Sequence, residues 1–401
     1  MKSRMRGDRR YKLRERLKFS TVLLLVAGMV TACDYNDVDH LYISTGIGID
    51  LVGNGIRISV DVINPEAAQS GQSDSGGSGN QGPDRVVSAE GKTFEMAFSQ
   101  IQSQLSHSLY LPHTAVVVFS QAAIQSDLNN IVDALERNRQ LRRSQLWVMT
   151  QGNAEDILTT RGAVNQPTAL VIRDLVDEAS RRYACLASDE LHVVKRLLTP
   201  SSATTVVEVD LTRKGNPTVT GMGFISRKGN VYRVPQNQIL NIAWLLGRTF
   251  DVRELVVLPS LANQPSFPVT VHWIRTTTRL KLIRATPTPV IQVIWRGTGE
   301  IERWAVPTTM NSKVFNHLER AIQHDLENRL GQAWNLSKSS GIDSYGIQTL
   351  VGEVVSKDKL ASLQLHDTWK QATLVFDVRP QILHGELASQ TPFVSNSGNP
   401  D

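Results

Sequence analysis

The stretch Ile56-Arg57-Ile58-Ser59-Val60-Asp61-Val62 alternates strictly between apolar and polar side chains. Side chains of a β-strand point to opposite faces in turn, so this stretch predicts a half-buried strand with one apolar and one polar face. Asn64-Pro65 ends it, because proline cannot donate a hydrogen bond to a sheet. Residues 67–84 are rich in Gly, Ser and Gln and predict a flexible polar loop.

Beyond this strand, helical and strand periods alternate along the chain. Apolar residues at a helical spacing follow Lys92, an apolar run occupies 115–119, a second helical pattern spans 128–135, and another strand pattern lies at 146–149. Such alternation is typical of a mixed α/β layer. The helical patterns consist of Phe94, Ala97, Phe98, Ile101 and Leu105, and of Leu128, Ile131, Val132 and Leu135.

The second half of the chain predicts mostly sheet, then one long helix. Strand patterns occur near 206–211, 221–225, 252–258, 269–274, 290–295 and 374–378, and a helix that bears Trp244 is expected at 237–246. Residues 311–336 form an apolar stripe that steps by four, which predicts a helix packed on a sheet or on a partner. The stripe contains Val314, Leu318, Ile322, Leu326 and Leu330.

The N-terminus has the three parts of a bacterial lipoprotein signal. Basic residues extend to Lys18, apolar residues follow over 19–32, and Val30-Thr31-Ala32-Cys33 has the small-residue pattern of a lipobox. The apolar segment is shorter than the roughly 20 residues that span a bilayer. We therefore expect cleavage before Cys33, with diacylglyceryl and N-acyl groups on Cys33 that hold the body at the extracytoplasmic face of a membrane.

Length and composition favour several α/β domains and exclude an obvious nucleic-acid partner. The chain of 401 residues carries a net charge of +5, but residues 1–32 hold nine basic and two acidic residues, so the remainder is slightly acidic. We predict an α+β fold of three mixed α/β domains after the cleaved lipoprotein signal peptide. The expected segments are a signal peptide at 1–32, an N-terminal α/β domain at 33–198, a mostly-β domain at 199–296, a C-terminal domain with the long helix at 297–388, and a polar tail at 389–401.

No local pattern predicts catalysis, a cofactor or a metal site. His317 and His324 are seven residues apart on the predicted long helix, without an acid at metalloprotease spacing. Gly46 and Gly48 lack the third glycine of a dinucleotide-binding loop, and nucleophile-elbow and Walker patterns are missing from the sequence. Cys185 is expected to be a small buried thiol. We predict that the chain is not an enzyme and that it binds no nucleic acid.

The order of several short motifs resembles one known family. Taken with the lipobox at Cys33, they are similar to the C subunit of nutrient germinant receptors of spore-forming bacteria, the Ger(x)C lipoproteins. The motifs are Thr45-Gly46-Ile47-Gly48-Ile49-Asp50, Val62-Ile63-Asn64-Pro65, Glu90-Gly91-Lys92-Thr93, Leu109-Tyr110-Leu111-Pro112-His113, Gly221-Met222-Gly223-Phe224-Ile225, Ile242-Ala243-Trp244-Leu245 and Gly341-Ile342-Asp343-Ser344-Tyr345-Gly346.

This resemblance implies a three-domain α+β body in a complex with two membrane-spanning partners, the A and B subunits of the receptor. It also implies a place on the outer face of the spore inner membrane and a structural or signalling role. Two alternatives stay open. If the chain is a lipid-anchored solute-binding protein of a transporter, its body should contain a ligand pocket. If it is a cell-envelope enzyme, folding should bring together catalytic residues that are distant in sequence.

Overall fold

The computed structural model describes residues 41–63, 84–160, 166–186, 188–198, 203–247, 251–258, 267–304, 312–355 and 368–383. Contacts divide the chain into Met1–Leu41 and Tyr42–Asp401, and apart from Leu41 the described residues belong to the second unit. The predicted signal peptide, Cys33 and the polar tail lie outside the described residues, as does nearly all of the predicted loop at 67–84. Among the described helices, none has the length and hydropathy needed to cross a bilayer.

The first sheet is mixed and contains ten of the described strands. Its path runs β10-β9-β8-β6-β5-β1-β2-β3, with β4 paired to β1 and β7 paired to β6. Strands β1, β5, β6 and β8 are mutually parallel, and the pairs β1–β2, β2–β3, β6–β7, β8–β9 and β9–β10 are antiparallel. The strands are β1 (Leu41–Val52), β2 (Gly55–Ile63), β3 (Asp84–Gly91), β4 (Ser108–Tyr110), β5 (Val116–Ser120), β6 (Leu146–Thr150), β7 (Ser188–Asp189), β8 (Ala203–Leu211), β9 (Pro217–Ser226) and β10 (Val231–Val234).

Helices cover both faces of this sheet, which explains the continuous apolar runs of β5 and β6. One face packs Ile47, Ile49 and Ile58 against α1 and α2. The other packs Val116, Val118 and Val148 against α3 and α4. The helices are α1 (Phe94–Gln104), α2 (Gln121–Arg137), α3 (Ala154–Thr159), α4 (Thr168–Tyr183), α5 (Glu190–Leu198), α6 (Ile239–Leu245), α7 (Ser312–Ser340) and α8 (Ile347–Val354).

Strand β2 confirms the predicted strand but corrects its environment. Ser59 and Asp61 are fully buried, although the alternation predicted a polar, outward face. The reason is tertiary: α3 and α4 cover this side of the sheet, and the polar side chains bond there. Ser88 Oγ donates to Ser59 Oγ at 2.9 Å, and Arg57 Nη1 contacts Glu155 Oε2 at 2.7 Å.

The second sheet has the order β11-β12-β13-β14, with β14 parallel to β13 and the other pairs antiparallel. Its two central strands are far longer than the patterns at 269–274 and 290–295 predicted. The long helix α7 lies on one face and buries Leu318, Ile322, Leu326 and Leu330, so these predicted residues belong to the core. The strands are β11 (Val252–Leu258), β12 (Phe267–Arg284), β13 (Val290–Trp304) and β14 (Thr373–Leu383).

The pairing of strands crosses the domain boundaries expected from sequence. Val148 of β6 pairs with Val207 of β8, so strands on both sides of residue 199 share the first sheet. Strand β13 itself continues through residue 297 and pairs with β14. The boundaries at 198/199 and 296/297 therefore stay predictions about folding units, and they do not coincide with the edges of the sheets.

Candidate functional site

The motif at 45–50 lies on β1, at the centre of the first sheet, and brings two helices close to the strand. A Cβ atom at Gly46 would lie 2.6 Å from Ala169 Cβ, and one at Gly48 would lie 3.2 Å from Ala154 Cβ. Glycine at both positions therefore lets α3 and α4 pack directly on the backbone of β1. The role of these glycines is close packing.

Asp50 closes the same motif and caps α3. Its two carboxylate oxygens accept hydrogen bonds from the backbone N–H groups of Ala154 at 2.7 Å and Glu155 at 3.0 Å. These donors have no partner within the helix, and a carboxylate also suits the positive end of the helix dipole. Burial nevertheless raises the pKa of Asp50, and the hydrogen bonds from the two backbone N–H groups oppose this rise.

Asp61 does the same for α4 and forms a pair with Asp84. Asp61 Oδ2 accepts from Thr45 Oγ1 at 2.9 Å and from the backbone N–H of Ala169 at 3.2 Å. Asp84 Oδ2 accepts from the backbone N–H of Thr168 at 2.9 Å. Two acids thus share one helix N-terminus. Burial, and then repulsion from Asp84, raise the pKa of Asp61 to about 7.

Replacing Asp61 by Asn is expected to remove a pH dependence of stability. A raised carboxyl pKa means that the folded state binds the proton more tightly than the unfolded state. Its contribution to stability is then complete below about pH 4 and is lost as the pH rises through about 7. The amide of Asp61→Asn keeps an oxygen for Thr45 and Ala169 and stays neutral, so the variant should gain stability over wild type as the pH increases.

Urea denaturation at about pH 5 and about pH 8 measures this difference. Asp174→Asn is the matched control, because Asp174 lies exposed on the same helix. Parallel pH profiles for Asp61→Asn and wild type would show that Asp61 is ionised throughout and would refute its raised pKa.

The motif at 341–346 lies between α7 and α8 and repeats this capping chemistry. Asp343 accepts from the backbone N–H groups of Ile347 at 3.0 Å and Gln348 at 2.8 Å, while burial raises its pKa to about 6. Arg196 of α5 donates to the carbonyl oxygens of Ser344 at 2.9 Å and Ala203 at 3.0 Å. One guanidinium thereby connects α5, β8 and the loop before α8.

The motif at 242–245 places Trp244 in a cluster of buried tryptophans. The rings of Trp244, Trp273 and Trp295 contact one another edge to face, with centroids 5.3–6.3 Å apart. The guanidinium of Arg329 lies 4.8 Å from the centroid of the Trp244 ring, and Arg329 Nε donates to Asn241 Oδ1 at 2.8 Å. Burial lowers the pKa of Arg329 to about 10. The cluster connects α6, α7 and the second sheet.

The chemically reactive residues singled out from sequence do not come together. Cys185 is buried, and burial raises the pKa of its thiol to about 11, which keeps it protonated and unreactive. His317 and His324 both lie on α7. Within the described ranges, no group of three or more His, Cys, Asp or Glu side chains is arranged to hold a metal ion.

A cleft of about 600 Å³ lies between α4, β9, α6 and β11. Glu178 and Arg253 place opposite charges on its wall, but Arg253 Nε already donates to Glu302 Oε1 at 2.8 Å. This is the pocket that bears on the solute-binding alternative. Its remaining lining consists of Leu175, Ala179, Cys185, Thr218, Val219, Thr220, Gly221, Gln236, Ile239, Leu240 and Val252.

Sequence inspection missed the residues that matter most for long-range connections. Arg196, Asp84 and Arg329 are single polar residues without a local signature, and only the tertiary fold shows what they contact. The basic residues of β12 did have a signal, because Arg275, Arg279 and Lys281 occur at even spacings. Even spacing in a strand predicts a common face.

The comparisons with known proteins agree with the motif order. Residues 34–209 match the family model of the spore germination protein N-terminal domain. A putative spore germination protein, YfkR, of Bacillus subtilis (strain 168) is 25% identical, over 61% of this chain and 64% of its own length. This chain thus spans slightly less than two thirds of that relative.

Two further relatives from Bacillus subtilis (strain 168) align over more of their length. Spore germination protein KC is 21% identical over 88% of this chain and 91% of its own. Spore germination protein B3 is 22% identical over 79% of this chain and 83% of its own. The crystal structure of the GerBC protein superposes with a TM-score of 0.49 at 15% identity, covering 87% of this chain and all of that one.

These features define an α+β protein in which motif acids cap buried helices and motif glycines permit close packing. They are features of a scaffold whose motifs serve the fold. Residues 34–209 carry the N-terminal domain of spore germination proteins, and the chain is similar to spore germination protein KC over most of its length. The resemblance recognised from the motifs is thereby confirmed.

Proposed function

We propose that this chain is the lipid-anchored C subunit of a nutrient germinant receptor complex required for spore germination. The observation that carries the proposal is the family match over residues 34–209. The capped motifs at 45–50 and 341–346, and the tryptophan at 244, extend the similarity across the described residues. No catalytic or cofactor role is assigned to any side chain in this proposal.

The anchor in this proposal is Cys33. The matched family segment starts at residue 34, directly after the lipobox cysteine, which supports Cys33 as the first residue of the mature chain. Two or three acyl chains on that residue provide stable attachment to a membrane. The body would then be confined to the outer face of the spore inner membrane, where tethering raises its effective concentration near its partners.

The partners in this proposal are the membrane-spanning A and B subunits of the receptor. The role of the C subunit would be positional, because it contributes a folded body at a fixed height above the membrane. Nothing in the proposal requires that a nutrient bind to this subunit. The alternative, a lipid-anchored solute-binding protein of a transporter, is favoured by one observation, the cleft lined by Glu178 and Arg253.

Isolation of the chain from spore inner membranes distinguishes these functions. We expect mass spectrometry to find an N-terminal diacylglyceryl-cysteine at position 33, and chemical cross-linking to recover two multi-spanning proteins with it. The matched control is Cys33→Ala, which should appear without lipid and without the cross-linked partners. Recovery of transporter components, together with a small solute retained by the body, would support the alternative instead.

A further inference from the structure

The face of the second sheet opposite α7 carries a concentrated positive charge. Cross-strand partners in a sheet point to the same side, and the register aligns Arg279 with Ile294 and Asp377, and Thr277 with Arg296 and Arg379. We name the end of this side nearer the β12–β13 turn, from Arg275 to Lys281 on β12, the basic face. Its five basic side chains and single acid are Arg275, Arg279, Lys281, Arg296 and Arg379, with Asp377.

The single acid of the basic face is already engaged. Arg296 Nη2 contacts Asp377 Oδ2 at 2.7 Å, and Arg379 Nε contacts Asp377 Oδ1 at 3.0 Å. The side chain of Arg379 is nevertheless 72% exposed, and Arg275, Arg279 and Lys281 are exposed as well. The charge is therefore not cancelled within the described face, and it is directed to the outside.

The positive charge occupies one end of the sheet. At the other end of β12, His272 contacts Glu300 and Asp251, and Arg253 is paired with Glu302. The excess of cations is thus limited to the end nearer the β12–β13 turn. The patch spans three strands and four alternating positions along β12, which gives it dimensions of roughly 10 by 20 Å.

The patch also has a polar groove and an apolar rim. A groove of about 350 Å³ is lined by Arg275, Arg296 and Arg379, together with Thr277 and Thr298. Val375, which pairs with Gln292 on this side, is 47% exposed. Arginine forks bind phosphate oxygens well, and an exposed apolar residue beside cations is suited to the boundary of a bilayer.

We infer that the basic face docks on the surface of an anionic phospholipid bilayer, with lipid phosphates in the groove between Arg275, Arg296 and Arg379. The choice of a bilayer rests on the charge complementarity of the patch to anionic headgroups and on its apolar rim. The inference rests on the proposed function and extends it. In a chain tethered through Cys33, this patch would hold the basic face against the bilayer surface.

The test uses the full-length chain reconstituted on vesicles, with a fluorophore that reports the polarity of its surroundings. Thr277→Cys places the label on the basic face, and Cys185 does not compete because its thiol is buried. Lys214→Cys places the label in the exposed turn between β8 and β9 as a control. The vesicles contain phosphatidylcholine alone, or phosphatidylcholine with about a third phosphatidylglycerol.

We expect the label at 277, and not the label at 214, to shift to shorter wavelength on the phosphatidylglycerol vesicles only. The shift should vanish at about 0.5 M salt, because the Debye length then falls to roughly 4 Å. Each basic residue next to an anionic surface raises binding roughly fivefold. Arg275→Gln with Arg279→Gln should therefore lower the docked-to-undocked ratio roughly 25-fold, whereas Arg213→Gln with Lys214→Gln, which removes the same charge, should not.

Equal spectra of the label at 277 on both lipids would overturn the inference, as would a shift that appears only when an acidic protein is added. Failure of the anchor gives a different result. If Cys33 carries no lipid, the chain will not float with phosphatidylcholine vesicles, yet the basic face will still bind phosphatidylglycerol vesicles.

Discussion

Trp295→Ala is expected to lower the free energy of unfolding by about 4 kcal/mol, as for a fully buried tryptophan. Trp295 lies on the inner side of β13 with no exposed surface, and its ring contacts Trp244 and Trp273 edge to face. Removing the indole leaves a cavity where α6 meets the second sheet. It also removes the aromatic contacts, which contribute beyond the buried area.

Urea denaturation followed by circular dichroism measures the effect. Val375→Ala is the control on the opposite side of the same sheet, because Val375 is 47% exposed, and it should change stability by less than about 0.5 kcal/mol. A loss below about 1 kcal/mol for Trp295→Ala would contradict a tightly packed tryptophan cluster.

Cys33→Ala is expected to reduce the rate of nutrient-triggered germination by roughly 100-fold or more, the gain that tethering gives to association with partners. The acyl chains provide most of the affinity for the membrane, and the variant would leave the body without them. Spores that carry the variant should also lose incorporation of labelled palmitate into this chain. The rate of dipicolinic acid release measures germination.

Cys185→Ala is the matched control for this variant, because it removes the other cysteine of the chain and leaves the anchor intact. Cys185 is buried on the wall of the cleft, and the change of a small thiol to alanine should leave germination unchanged. Wild-type germination rates in Cys33→Ala spores, with the chain still in the membrane fraction, would show that the chain is attached to the membrane by something other than lipid on Cys33.

Local sequence patterns predicted the positions of helices and strands better than the burial of their side chains. Strand β2 was expected from alternation, but the burial of Asp61 depends on α4, which begins over a hundred residues later in the chain. The length of β12 was also missed. The second half of β12, from Arg275 onward, mixes basic residues with threonines and leucines. Local hydrophobicity therefore did not reveal that the strand continues to Arg284.

The candidate site was only partly accessible to sequence for the same reason. Motif order indicated the family resemblance, and the structure shows that Gly46 and Gly48 permit close packing and that Asp50 and Asp343 cap helices. The hydrogen bond from Arg196 to the carbonyl oxygen of Ser344 joins residues 148 positions apart. No local sequence pattern specifies such a partner. The lipid attachment at Cys33 remains a prediction from the lipobox.

The most direct measurement of the central claim is germination of spores that lack this gene. Dipicolinic acid release would be followed across a panel of amino acids, sugars and nucleosides, after complementation with wild type or Cys33→Ala. A lipid-anchored receptor subunit predicts loss of the response to one class of nutrient, restored by wild type alone. An unchanged response to every nutrient, in spores whose other receptors are also deleted, would contradict the account.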